Sequence, residues 1–160
     1  MLVTNVRPLK LWLYREGIVR FSSERYDLKS VGNIYSHLTN SSINKGAPNM
    51  IRGSGAYGNG LKWSFDQMRS YFRDCGYSWD LMWVRIEIMI MLTAITLCNT
   101  VPDMDCCIEL FGFDVIMDAN MKPWLLECNS SPAMSMDCNI DTLVKPALLK
   151  DTINICNLVP

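Results

Sequence analysis

Histidine is nearly absent from this 160-residue chain, which has one, His37. Seven cysteines are present, with no Cys-x-x-Cys pair among them. Together these make a structural zinc site a poor fit. An odd cysteine count without paired spacing argues against a disulfide framework and for a reducing compartment. Charge of one sign is also lacking. The net charge is −1, so nothing electrostatic points to nucleic acid or to an anionic membrane. No Gly-x-x-x-x-Gly-Lys-[Ser/Thr] run exists, which excludes a P-loop. Met1–Lys10 lacks the basic-then-apolar layout of a signal peptide. The apolar run Ile88–Cys98 is shorter than the roughly 20 residues that span a bilayer, and reads as a buried helix. Internal repeats and low-complexity tracts are missing.

What is present describes a globular chain. Hydrophobic residues make up 49% and charged residues 19%, enough for one domain with a core. Leu9, Leu11 and Leu13 alternate with Lys10, Trp12 and Tyr14, the pattern of a half-buried strand. Glu16-Gly17 reads as a turn and Ile18–Phe21 as the returning strand, with Arg20 among apolar neighbours. Arg20 is then either a snorkelling edge residue or an anion clamp, since a guanidinium binds carboxylate or phosphate through two parallel hydrogen bonds. Ser30–Asn33 reads as a turn, and Thr39 and Asn40 as polar residues at a strand end. His37 has the chemistry of a general base, yet fits better as a core or hydrogen-bonding residue. Residues 44–60 hold five glycines and one proline and read as a flexible loop. Beside an active site such a loop could serve as a lid. Ser64-Phe65-Asp66-Gln67 fits a capping box, predicting a helix from Phe65 to Asp74 that ends near Gly76. Ser78 caps a longer helix over Trp79–Cys98, with Leu81, Trp83, Val84, Ile88, Met91, Leu92 and Ile95 read as core. Pro146 is expected to break the last helix, leaving Ala147–Cys156 regular.

The most informative stretch is Ile108–Pro132. It predicts a hairpin with a turn near Asp118-Ala119-Asn120. Alternation places Glu127 and Asn129 on one face, with Trp124, Leu126 and Cys128 on the other. Asp114 shares a face with Leu110 and Ile116, and a loop over 119–122 sets it opposite Glu127. Two carboxylates and an amide then converge. Oxygen donors on a rigid scaffold suit a hard cation such as Mg²⁺, though ordinary solvated acids would give the same spacing.

The run F-G-F-D, then K-P-W-L-L-E-x-N-x-x-P, resembles the C-terminal signature of the tubulin–tyrosine ligase-like family, which is built on an ATP-grasp fold. P-L-x-L-W-L-Y-R-E-G-I-V-R-F-S-S and H-L-T-N-S-S-I-N-K resemble it too, and the likeness runs from about Leu2 to Leu158. In appearance the chain is most similar to the tubulin polyglutamylases. The resemblance implies an α+β fold, with an antiparallel sheet and packed helices forming the C-terminal portion of an ATP-grasp catalytic domain. It implies that Asp114, Glu127 and Asn129 hold Mg²⁺ against the ATP phosphates, and that Thr39 and Asn40 contact ATP. Arg20 would reach the amino-acid substrate or the transferred phosphate. Ser41 and Ser42 would line the amino-acid pocket, with Lys62 and Lys145 facing the amino acid. Cys128 stands where the family more often carries Val, and Ser41 where Tyr is frequent.

The implied reaction joins glutamate to glutamate side chains of tubulin. ATP phosphorylates the acceptor carboxylate, and the amino group of free glutamate attacks the acyl phosphate to form an isopeptide bond. Arg20 and Glu127 are the expected catalytic residues. The implied partners are tubulin C-terminal tails and microtubules, and the implied location is cytoplasmic and cytoskeletal, including cilium or basal body. The family precedes the M-L-V-T-N strand with a K-F-D-L-R segment and a lobe carrying the adenine hinge. Their absence here makes 1–160 a partial catalytic domain, and raises the alternative of an inactive fragment that at most binds tubulin. A third reading, independent of the resemblance, is a metal-binding α+β domain that takes a divalent cation without ATP.

Overall fold

The computed structural model describes residues 1–48, 54–55, 58–101 and 107–157. In chain order the elements are β1 (Leu2–Val6), β2 (Leu9–Trp12), β3 (Ile18–Arg20), α1 (Ile34–His37), α2 (Ser41–Asn44), β4 (Ser54–Gly55), β5 (Gly58–Asn59) and β6 (Lys62–Ser64). They continue with α3 (Phe65–Asp74), α4 (Trp79–Cys98), β7 (Glu109–Leu110), β8 (Gly112–Met117), β9 (Pro123–Asn129) and α5 (Asn139–Ile155). This is the mixed helix and antiparallel-sheet content that the sequence predicts. Of the stretch read as a loop, 49–53 and 56–57 lie outside the described residues. Its described part includes the short β4–β5 pair.

The chain divides into two compact units. The first comprises Met1–Arg15, Ser78–Met136 and Lys145–Pro160; the second comprises Glu16–Tyr77 and Asp137–Val144. The chain therefore passes between units four times, after Arg15, Tyr77, Met136 and Val144.

In the first unit β1 pairs antiparallel with both β2 and β7. Its core gathers Val3 of β1 and Met1, the residue before that strand, with Ile90 and Ala94 of α4, flanked by Leu9, Leu11, Leu13, Phe111 and Phe113. The Leu9–Leu13 alternation is thus a buried face, as its pattern requires. The predicted return strand, however, does not pair with it. The partner of β2 is β1, whereas β3 pairs with β6 in the second unit. Strand patterning fixes which face is buried but not which strand lies alongside.

Helix α4 begins and ends where its caps predict, with the Ser78 hydroxyl accepting from Leu81 N. Its burial differs from expectation. Met82, Trp83, Ile90 and Ala94 are buried, while Leu81, Val84, Ile88, Met91, Leu92 and Ile95 are exposed. The helix is apolar all round, so spacing alone could not select the covered face. At 20 residues α4 is also long and apolar enough to cross a membrane by length and composition, beyond the 11-residue run that the sequence reading isolated. Its first turns nevertheless hold charges. Glu87 accepts from the Trp83 indole at 2.6 Å and from Arg15 at 3.3 Å.

Helix α5 runs unbroken through Pro146, another departure from expectation. Proline costs one donor, to the carbonyl of Thr142. Both Thr142 and Pro146 are exposed, so water is available to that carbonyl.

In the second unit α3 packs on β3 and β6. Ser64 and Gln67 form both halves of the predicted capping box. Arg69 ties the helix to Glu16. At Gly17 a β-carbon would lie 2.5 Å from the Phe65 ring, so a larger residue there must displace that ring. The segment leading to the strand end expected at Thr39-Asn40 is instead helix α1, capped by the Asn33 side chain on Tyr35 N at 3.1 Å. Asn33 accepts there while its amide donates to Glu24 at 2.7 Å, a local interaction that alternation does not register.

Candidate active site

The hairpin β8–β9 has the expected pairing at Asp114 opposite Glu127, with Gly112 opposite Asn129, while nearer the turn it is shifted by one, with Met117 opposite Pro123. The Asn129 amide donates to Glu127 Oε1 at 3.0 Å. The structure thus brings Asp114, Glu127 and Asn129 together. Asp114 is half-buried, whereas Glu127 and Asn129 are exposed. Among the described residues no three His, Cys, Asp or Glu side chains gather as a metal-binding group. The hairpin set offers two carboxylates and an amide, all oxygen-bearing, which suits a hard cation and not a soft one.

The strand faces require a correction. Pairing steps from Asp114–Glu127 to Val115–Leu125, which leaves Leu126 as an extra residue in β9. A bulge of this kind shifts the alternation by one. Trp124 and Leu126 are consequently exposed at 49% and 64%, as are Glu127 and Asn129, while Leu125 and Cys128 point inward. Trp124 and Leu126 therefore do not share a covered face with Cys128. Burial pushes the Cys128 thiol above its ordinary value, so it remains protonated at neutral pH.

Two supports hold the hairpin, one at the expected turn and one that the sequence reading lacks. Asp118 organises the turn, accepting from Asn120 N at 2.8 Å, Lys122 N at 3.0 Å and the Trp124 indole at 3.0 Å. The indole hydrogen bond, with those backbone donors and the nearby Lys122 charge, holds its carboxyl below the usual range. Met121 closes the turn at φ 59° and its carbonyl accepts from Arg85 of α4 at 3.1 Å. The second support is Pro132 against Gly112. A β-carbon at position 112 would lie 2.9 Å from Pro132 Cβ. The Gly of F-G-F-D and the Pro of N-x-x-P are thus packed together. Lys145, in the same unit, donates to Ser135 O at 2.5 Å.

The second unit holds the remaining expected residues. Arg20 of β3 faces Lys62 of β6 directly across the strand pair. Lys62 donates to Asp141 Oδ2 at 2.8 Å. Thr39 lies between α1 and α2, Asn40 is the N-cap residue of α2, and Ser41 and Ser42 form its first turn, so none of them ends a strand. Asn44, fully buried, anchors this segment. Its Oδ1 accepts from Ser23 N at 2.8 Å, and its Nδ2 donates to Leu38 O at 2.8 Å and Asn40 O at 3.0 Å. A buried Asn that spends its whole amide on backbone sets a loop's shape. The sequence signal is the Asn of S-I-N-K, which belongs to the family-like H-L-T-N-S-S-I-N-K run and also opens the stretch read as a glycine-rich loop. His37 makes a contact at 3.1 Å with Ser30 O and stacks edge-on against Tyr26. It is the hydrogen-bonding residue expected.

The tubulin-tyrosine ligase family model matches residues 1–160. The chain belongs to that family. It is 44% identical over 160 residues to the human probable tubulin polyglutamylase TTLL2, covering 98% of this chain and 26% of the relative. It is 36% identical over 173 residues to human tubulin polyglutamylase TTLL5, covering 99% of this chain and 13% of that protein. Human tubulin monoglutamylase TTLL4 is 33% identical over 168 residues, with 98% and 14% covered. The chain spans about a quarter of the first of these and less of the others.

Proposed function

We propose that this chain carries the phosphate- and amino-acid-handling part of an ATP-dependent ligase that adds glutamate to glutamate side chains of tubulin. The observation behind the reading is the Asp114–Glu127 pair with Asn129 bonded to Glu127, set in a family hairpin whose relatives are named glutamylases. Asp114, Glu127 and Asn129 hold Mg²⁺, which when bound neutralises the ATP phosphates. Thr39 and Asn40 contact the nucleotide. Arg20 holds negative charge as it develops during formation of the acyl phosphate. Lys62, Lys145, Ser41 and Ser42 orient the incoming glutamate so that its amino group attacks the activated carboxylate. Tubulin tails on microtubules are the acceptor, which places the protein in the cytoplasm on the cytoskeleton, including cilia or basal bodies.

Calorimetric titration of Mg-ATP into the chain tests this, with Glu127→Gln as control. Micromolar binding that the substitution abolishes is the expected result. A folded chain that takes up no Mg-ATP favours the second reading, a module that contacts tubulin without catalysis. Uptake of Mg²⁺ without ATP would instead support the cation-binding reading.

A further inference from the structure

We infer that Asp141 is a positioning residue that fixes the Lys62 ammonium for the amino-acid substrate; this rests on the role given to Lys62 above. Asp141 lies in the first turn of α5 and is 1% exposed. Three donors converge on its Oδ2: Lys62 Nζ at 2.8 Å, Cys138 Sγ at 3.2 Å and Asp137 N at 3.3 Å. Removing a carboxylate from water is costly, and a buried ion pair is a poor source of net stability compared with an apolar pair of similar volume. What such a pair supplies is geometry. A lysine head on four rotatable bonds has no fixed place of its own. Here it has one, and it is not buried away from ligand, since the Lys62 side chain keeps 16% exposure. An ammonium has three donors, and Asp141 takes one.

The strand pairing supplies a second reason. Lys62 sits directly across from Arg20, and residues so paired leave the same face with their β-carbons about 5 Å apart. Two cations there attract an anion but repel each other. Asp141 offsets that repulsion on the Lys62 side. The pair thus presents one mobile-free ammonium beside a guanidinium, an arrangement suited to a dicarboxylic amino acid with its two anionic groups.

The test combines Asp141→Asn, Lys62→Met and the double variant in a tubulin glutamylation assay. Amine acylation followed by mass spectrometry reports on Lys62 directly. Asp141→Asn keeps the shape, and is expected to raise KM for glutamate about tenfold, the scale of one charge-assisted hydrogen bond. KM for ATP should stay unchanged and Lys62 acylation should rise toward that of exposed lysines. The double variant should be no worse than Lys62→Met alone, because Asp141 acts through Lys62. Additive losses, or an unchanged glutamate KM in Asp141→Asn while Lys62→Met raises it, would overturn the inference. If Lys62→Met leaves glutamate KM unchanged, the role of Lys62 itself fails, a result separate from the first.

Discussion

Asn44 is the residue whose loss should cost the second unit most for its size. Asn44→Ala removes three hydrogen bonds at once. The Asn40 carbonyl keeps the backbone N–H of position 44 as donor at 3.0 Å, so it is not orphaned. The Ser23 N–H lies in a residue only 8% exposed and loses its partner outright. The Leu38 carbonyl belongs to a 40%-exposed residue, so water replaces part of its lost bond. An unsatisfied buried backbone group costs about 1–3 kcal/mol, so the total should be about 3 kcal/mol. For a chain of this length that lowers Tm by about 6–12 °C. Asn44→Asp sharpens the test. The carboxylate still accepts from Ser23 but confronts two carbonyls with lone pairs. Burial and those carbonyls raise its pKa, so its protonated form is the one the fold prefers. Stability lost at neutral pH should then be partly regained as pH falls through that raised value, relative to the unaltered chain. Thermal unfolding at pH 7 and pH 5 reads both effects. A Tm within a degree of the unaltered chain for Asn44→Ala, or an Asn44→Asp deficit that does not vary with pH, would refute the account.

Gly112→Ala should destabilise the hairpin by about 1–3 kcal/mol by driving a methyl into Pro132, measured as a lower midpoint of urea unfolding. Ser64→Ala removes the hydroxyl from Gln67 N and should cost about 1 kcal/mol, read in the same way. Asp118 has a depressed folded pKa, so its contribution is present above the ordinary carboxylate value near 3.9 and is lost as pH falls through the lower, folded one. The Trp124 indole proton in an NMR titration should therefore shift below about pH 4 and be insensitive above it, and Asp118→Asn should remove that transition.

Much of this could be read in advance because the signals were local. The caps of α3 and α4 need only a Ser at the right offset from a Gln or an apolar turn, and both helices begin where Ser64 and Ser78 stand. The hairpin register followed from turn residues and the Asp114–Glu127 offset. What failed depended on distant chain. The partner of β3 is β6, more than 40 residues on, and no periodicity in Ile18–Phe21 names it. The bulge at Leu126 has no residue that marks it, since Leu-Leu suits either phase. The exposed side of α4 could not be told from the covered one in a helix apolar on both. Lys62 was placed by resemblance, but its partner Asp141 lies 79 residues away and no spacing links the two.

The four passages of chain between the two units bear on how the protein can be dissected. Neither unit is a continuous segment, so no single truncation yields one of them whole. Cutting after Tyr77 leaves the second unit without Asp137–Val144, and with it without the acid that meets Lys62. Loss of function on deleting either end would therefore say nothing about which end does the chemistry. Point substitutions, and not shortened chains, are the informative tool for this molecule.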